Sequence, residues 1–192
     1  MESKTAKPSR KLRADSIRNR ELLLEAATQI FSVGGPQASL EAVARQAGVG
    51  IGTLYRHFPT REALFEAVYR HEVDHLGELA EKLARDGDPV VALRTWLHAN
   101  VRLVATKKGM IQGLQLVAHG SSELKAYSFE RLTGAIGLLL DRAIAADKVR
   151  SDVSPEDLLR ALVGIFYSQG TTEWHATALR LVDIFVDGLR KR

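Results

Sequence analysis

The stretch VYRHEVDHL contains His71-Glu72-Val73-Asp74-His75, an H-E-x-x-H arrangement. On a helix, histidines at this spacing share one face and can hold a zinc ion between them. The intervening glutamate can then act on a zinc-bound water. A zinc peptidase also needs a third ligand. One extension places a glycine three residues beyond the second histidine and another histidine three further on; here those positions are Glu78 and Glu81. The other main pattern takes a carboxylate from a following helix, but no Asp or Glu lies between Pro89 and Gly120, leaving His98 as a substitute. No strand adjoins the motif to form a substrate edge. The motif therefore leaves two readings: histidines on a polar helix face, or a metal site. The metal site would belong to a zinc-dependent hydrolase or to a metal-sensing regulator.

A second constellation lies upstream, in SLEAVARQAGVGIGTLYRHF, residues 39–58. Ser39 suits an N-cap, because its hydroxyl can accept a bond from an unpaired first-turn amide. Ala47 and Gly48 are small enough to let two short helices meet at a turn. Val49, Leu54 and Phe58 can anchor the second helix to what lies behind it. That leaves Gly50, Ile51, Gly52, Thr53, Tyr55, Arg56 and His57 facing outward. Bare glycines at a helix start let backbone amides approach phosphate oxygens. Thr53 and Tyr55 offer hydroxyls, Arg56 and His57 offer N–H donors, and Ile51 could meet a thymine methyl. Two short helices with a supporting helix ahead describe a helix-turn-helix unit.

The elements that must hold these residues follow from periodicity. Residues 1–15 are polar and basic and predict a disordered arm. From Ser16, Leu22, Leu23, Ala26, Ala27, Ile30 and Phe31 repeat at helical spacing up to Gly34-Gly35-Pro36. Short helices follow from Ser39 and from about Gly50. Thr60 then caps a long helix running from Arg61 to about Arg85. Asp86-Gly87-Asp88-Pro89 breaks it, with Pro89 in the next first turn. Further helices are expected near 89–105, 109–119, 122–147, 155–170 and 174–190, with Ser154-Pro155 as a cap and first-turn pair. No stretch alternates as a strand would. The expected fold is all-α, about nine helices: a helix-turn-helix head over 16–60 and a helical domain over 61–192.

Composition narrows the function classes. The 192 residues include no cysteine, which excludes disulfides, zinc fingers and thiol nucleophiles. The N-terminus lacks the apolar segment of a secretory signal, and no apolar run approaches the roughly 20 residues of a membrane span, so a cytoplasmic protein with no membrane partner is expected. Residues 1–61 carry ten Lys/Arg against five Asp/Glu, whereas the remainder carries seventeen against eighteen. The basic excess sits in the first third, which suits a polyanionic partner for that part alone.

Residues 17–76 resemble the DNA-binding domain of the TetR/AcrR family of bacterial transcriptional regulators. The match is carried by Ala26-Ala27, Phe31, Gly35, Val43-Ala44, Ala47-Gly48-Val49, Gly52-Thr53-Leu54-Tyr55, His57-Phe58 and Arg61-Glu62-Ala63-Leu64. The resemblance implies that Thr53, Tyr55 and His57 contact DNA, that Arg61 stands where relatives carry a phosphate-binding lysine, and that Ser39 caps its helix against a phosphate. Gly50, where many relatives have Ser or Thr, and Pro36, where an aromatic residue is frequent, depart from the pattern. The family implication is a homodimeric regulator, expected to be a repressor, binding a palindromic double-stranded operator and released by a small-molecule inducer.

Beyond the head, Asn100, Gln115 and Gln169 interrupt apolar stripes. Buried amides are costly unless paired, so these three, with Trp96, Met110, Phe129, Tyr167 and Trp174, are the candidate lining of a ligand pocket. The 155–170 and 174–190 segments are apolar nearly all round, more than one buried face requires. Leu158, Leu162, Phe166, Leu181, Phe185 and Leu189 are therefore expected at a two-fold interface. No cofactor is expected.

Overall fold

The computed structural model describes residues 7–34, 38–106, 122–167 and 174–191. Among these residues the chain is all-α: α1 Lys7–Gly34, α2 Leu40–Gln46, α3 Ile51–His57, α4 Arg61–Leu83, α5 Pro89–Thr106, α6 Ser122–Ala145, α7 Pro155–Tyr167 and α8 Trp174–Leu189. The helix expected at 109–119 lies outside the described residues. The helix ends follow the caps. Thr60 Oγ1 accepts from the Ala63 amide at 3.1 Å, and Asp88 accepts from the amides of Val90 and Val91. Ser154 and Asp157 exchange bonds reciprocally at the start of α7, the capping-box arrangement with an aspartate in the acceptor role.

One boundary differs from expectation. Helix α1 starts at Lys7, so Lys7–Asp15 belong to a helix and not to a disordered arm. Lysine, arginine and alanine are good helix formers whether or not an apolar stripe accompanies them. Periodicity registers the apolar stripe alone, which begins at Leu22. Residues Arg13–Arg18 are all exposed.

The described residues fall into two compact units that divide at Tyr69/Arg70, inside α4, and not at the start of that helix. The first unit packs α1, α2, α3 and the first turns of α4 around Leu23, Leu24, Ala27, Phe31, Val43, Leu54 and Leu64. The Phe31 and Phe65 rings stack 4.3 Å apart. The second unit gathers Trp96, Leu93, Leu97, Ile136, Leu139, Leu140, Leu158, Val182 and Val186 into one core. Arg94 braces its α5 and α8, donating to Asp183 at 2.8 Å and Asp187 at 2.5 Å. An isolated antiparallel bridge pairs Val149 with Arg190. There the Arg150 amide donates to Leu189 O and the Lys191 amide to Lys148 O.

This core corrects part of the expected interface. Leu158, Leu162 and Leu189 are buried within their own chain and cannot meet a partner. Phe166 and Phe185 are half-buried against the core. Of the six, Leu181 alone is exposed; Val163 and Ile184, the latter 68% exposed, are the further outward apolar side chains of α7 and α8. An all-round apolar helix shows that two faces are wanted, but not which face the chain keeps for itself.

Candidate nucleic-acid interface

Helix α2 is opened by Ser39, whose Oγ accepts from the Ala42 amide at 3.3 Å and donates to Glu41 Oε2 at 2.6 Å. The Ser39 hydroxyl holds the Glu41 carboxyl below the usual carboxylate range, helped by the Glu41 amide and by the charge of Arg61. An internal carboxylate thus occupies the anion-favouring end of α2. The expected phosphate contact of Ser39 would have to take the place of that bond. Arg61 is likewise engaged: its Nη1 donates to Ala38 O at 2.7 Å, tying the start of α4 to the segment before α2.

The turn between α2 and α3 is closed by backbone bonds from Ala47 to Val43, Gly48 to Arg45 and Val49 to Ala44. Gly48 has φ +68°, and a Cβ there would meet nothing within 4 Å. Its role is therefore the left-handed backbone of the turn, not the close helix approach expected from the sequence. Ala47, which is buried, supplies the small contact.

Helix α3 is pinned by Leu54 and Phe58, both buried, and the Arg20 guanidinium lies over the Phe58 ring. Gly50, Ile51, Gly52, Tyr55 and Arg56 are exposed, while Thr53 and His57 are half-buried. Arg56 Nε donates to Gly52 O at 3.2 Å, which lays its side chain along its own helix. Gly50 and Gly52 differ from Gly48. Neither has positive φ, and a Cβ on either would meet open space. Nothing among the described residues asks for glycine at these two exposed positions. Glu41 and Arg20 were missed from the sequence, Arg20 because nothing in its local pattern singles it out from other basic residues.

The H-E-x-x-H residues lie within α4. The His71 and His75 rings lie 4.1 Å apart, but no group of three or more His, Cys, Asp or Glu able to hold a metal occurs among the described residues. Asp74, from inside the motif, accepts from Tyr127 Oη at 2.5 Å and Arg131 Nε at 3.2 Å, joining α4 to α6. Burial, then the bond to Asp74, raises the Tyr127 pKa. The substitute ligand His98 has its Nε2 2.9 Å from Asp183 Oδ1, close enough for an ion pair but off the direction of an N–H hydrogen bond.

The pocket candidates separate. Trp96 is fully buried, but its Nε1 is spent on Leu76 O at 2.7 Å. Phe129 is 46% exposed and faces out of the core, so it is no lining residue: Ser128 takes the inward position at that turn. Asn100 and Trp174 are buried, and Asn100 Nδ2 and Trp174 Nε1 have no hydrogen-bond partner among the described residues. The Phe166 ring stands 6.2 Å from that of Trp174. Met110, Gln115 and Gln169, and the side chain of Tyr167, lie outside the described residues.

A three-helix head that presents a short helix outward across a glycine turn defines the helix-turn-helix class. Residues 23–68 match the family profile described as bacterial regulatory proteins, tetR family. Residues 88–191 match the profile of the SbtR-like transcriptional regulator C-terminal domain. A crystal structure of a TetR transcriptional regulator from Streptomyces coelicolor superposes with a TM-score of 0.73 at 41% identity, over 89% of this chain and 98% of that one. A TetR regulator from Mycobacterium vanbaalenii gives 0.74 at 33% identity, over 94% and 99%. Among curated relatives, the regulator AcrR of Shigella flexneri is 29% identical over 58% of this chain. That match spans 53% of AcrR, about half its length. The chain belongs to the TetR family of bacterial transcriptional regulators. No described helix is long and apolar enough to cross a membrane.

Proposed function

We propose that this protein is a homodimeric, sequence-specific repressor that binds a near-palindromic operator and leaves it when a small molecule occupies the C-terminal unit. The observation that carries the DNA-binding reading is the pair Gly50 and Gly52. Glycine inside a helix costs about 0.5–1 kcal/mol relative to alanine, and no internal packing at Gly52 offsets that cost. An approaching phosphate backbone does, because amides at the start of α3 can then come within hydrogen-bond reach. Ile51, Tyr55 and Arg56 form the exposed surface beside them, with Ile51 and Thr53 reading base edges and Tyr55, His57 and Arg61 on the backbone side.

The small-molecule reading rests on Asn100 and Trp174. Two buried donors without partners among the described residues are expensive in an apolar core, and a ligand carrying acceptor atoms would satisfy them. Ligand that binds one conformation of the protein better than the other shifts the population toward it. The dimer reading rests on Val163, Leu181 and Ile184, apolar and exposed on the last two helices.

The test is selection of double-stranded fragments by the purified protein, followed by sequencing. Recovery of a palindromic motif with half-sites about 34–36 Å apart, or a multiple, is expected. A protein that retains no duplex even at low salt would overturn the reading.

A further inference from the structure

The charge of the head is not where its recognition helix is. Residues 21–61 contain three basic residues, Arg45, Arg56 and Arg61, and three acidic ones, Glu21, Glu25 and Glu41. Residues 7–20 contain Lys7, Arg10, Lys11, Arg13, Arg18 and Arg20 against Asp15 alone. The basic excess of residues 1–61 therefore sits on Lys7–Arg20, the first half of α1, of which only Lys7–Asp15 is expected from sequence to be a loose arm.

That half is helical. The buried positions of α1 begin at Leu23, and Arg13–Arg18 are exposed, Ile17 by 63%. From Lys7 to Arg20 the helix rises about 20 Å at 1.5 Å per residue. Its inner end is fixed in a telling place. The Arg20 guanidinium lies 5.4 Å from the centroid of Phe58, the C-cap of the recognition helix. The overhang thus starts beside the end of α3 and is longer than the major groove is wide, about 12 Å.

We infer that the overhang Lys7–Arg20 is a second DNA-contacting element, a basic helix that binds backbone phosphates flanking the groove read by α3. This rests on the DNA-binding reading of α3. A neutral recognition unit supplies little of the phosphate attraction on which duplex affinity depends, and a stretch of exposed helix gains nothing from the protein core to hold its shape. A polyanionic duplex beside α3 supplies the missing partner for both. The overhang carries no base reading, so it raises affinity for every sequence alike.

The full chain is compared with a variant carrying Lys7, Arg10, Lys11 and Arg13 all changed to Gln, a residue that keeps helix propensity. Arg20 is left in place because it packs on Phe58. Binding to a random-sequence duplex is measured across a salt series. Each phosphate contact removed lowers the slope of log affinity against log salt by about 0.9, so a fall of about 2–4 is expected, with the sequence preference of selected fragments unchanged. A second variant, Ser16→Pro, keeps every charge but interrupts the helix. It is expected to lose much of the same affinity, while circular dichroism shows the remaining helices intact. If wild-type protein binds duplex and the glutamine variant keeps its slope, the overhang proposal alone fails. If Ser16→Pro leaves affinity untouched, the segment acts as a flexible tail and the helical element is overturned. If wild-type protein binds no duplex, both readings fall. Loss of binding to anionic vesicles, with the duplex slope unchanged, would reassign the overhang to a membrane surface and also overturn the proposal.

Discussion

At the residue scale, glycines of one short segment have different reasons. Gly48 serves a backbone angle, whereas Gly50 and Gly52 have ordinary backbone and empty surroundings. The variant Gly52→Ala is therefore expected to stabilise the fold by up to about 1 kcal/mol while weakening duplex binding. A thermal melt and a mobility shift on one sample check both signs. Loss of stability would show that the glycine serves the fold. Ile51→Ala should change which fragments are selected more than it changes overall affinity, because an apolar contact to a thymine methyl discriminates without attracting phosphate. Arg61→Ala has a mixed expectation, since its bond to Ala38 O is lost along with its charge. A drop in melting temperature should accompany any drop in the salt slope. Within H-E-x-x-H, Asp74 has the clearer structural work. Tyr127→Phe removes its phenolic donor and is expected to cost about 1 kcal/mol in urea unfolding.

At the element scale, the lock between α5 and α8 depends on pH. Arg94, by its hydrogen bond, holds the Asp183 carboxyl below the usual carboxylate range; burial opposes it and His98 adds to it. A carboxylate lowered in the folded state stabilises fully above its unfolded pKa, near 3.9, and that contribution is lost as pH falls further. The gap in denaturation midpoint between the native chain and Asp183→Asn should therefore shrink as pH falls below about 4. Equal slopes in acid would dismiss the lock. Most helix boundaries were legible because Thr60, Ser154 and Pro89 carry their own capping chemistry. The start of α1 was not, because Lys7–Asp15 lack the apolar stripe that periodicity detects. The recognition surface was legible where residue type dictates behaviour, as with buried Leu54 and Phe58. It was not legible at Ser39, whose hydroxyl is taken by the neighbouring Glu41, nor at Arg61, whose partner Ala38 depends on how separate segments meet. Phe129 misled because its neighbour Ser128, the smaller and more polar residue, took the inward position.

At the scale of the whole molecule, the expectation is a dimer of the 21.2 kDa chain. Light scattering at micromolar concentration should report about twice that mass. Ile184→Glu, on a side chain that contributes nothing to its own core, should halve it and reduce operator affinity without lowering the circular dichroism signal. A monomeric native protein would remove Val163, Leu181 and Ile184 as an interface. The pairing of Val149 with Arg190 reaches further than its few bonds suggest. It fastens the base of a long excursion of chain, α7 and α8 together, so those helices form a loop shut at its foot. Hydrogen exchange at the amides of Arg150 and Lys191 would then report the opening of that foot.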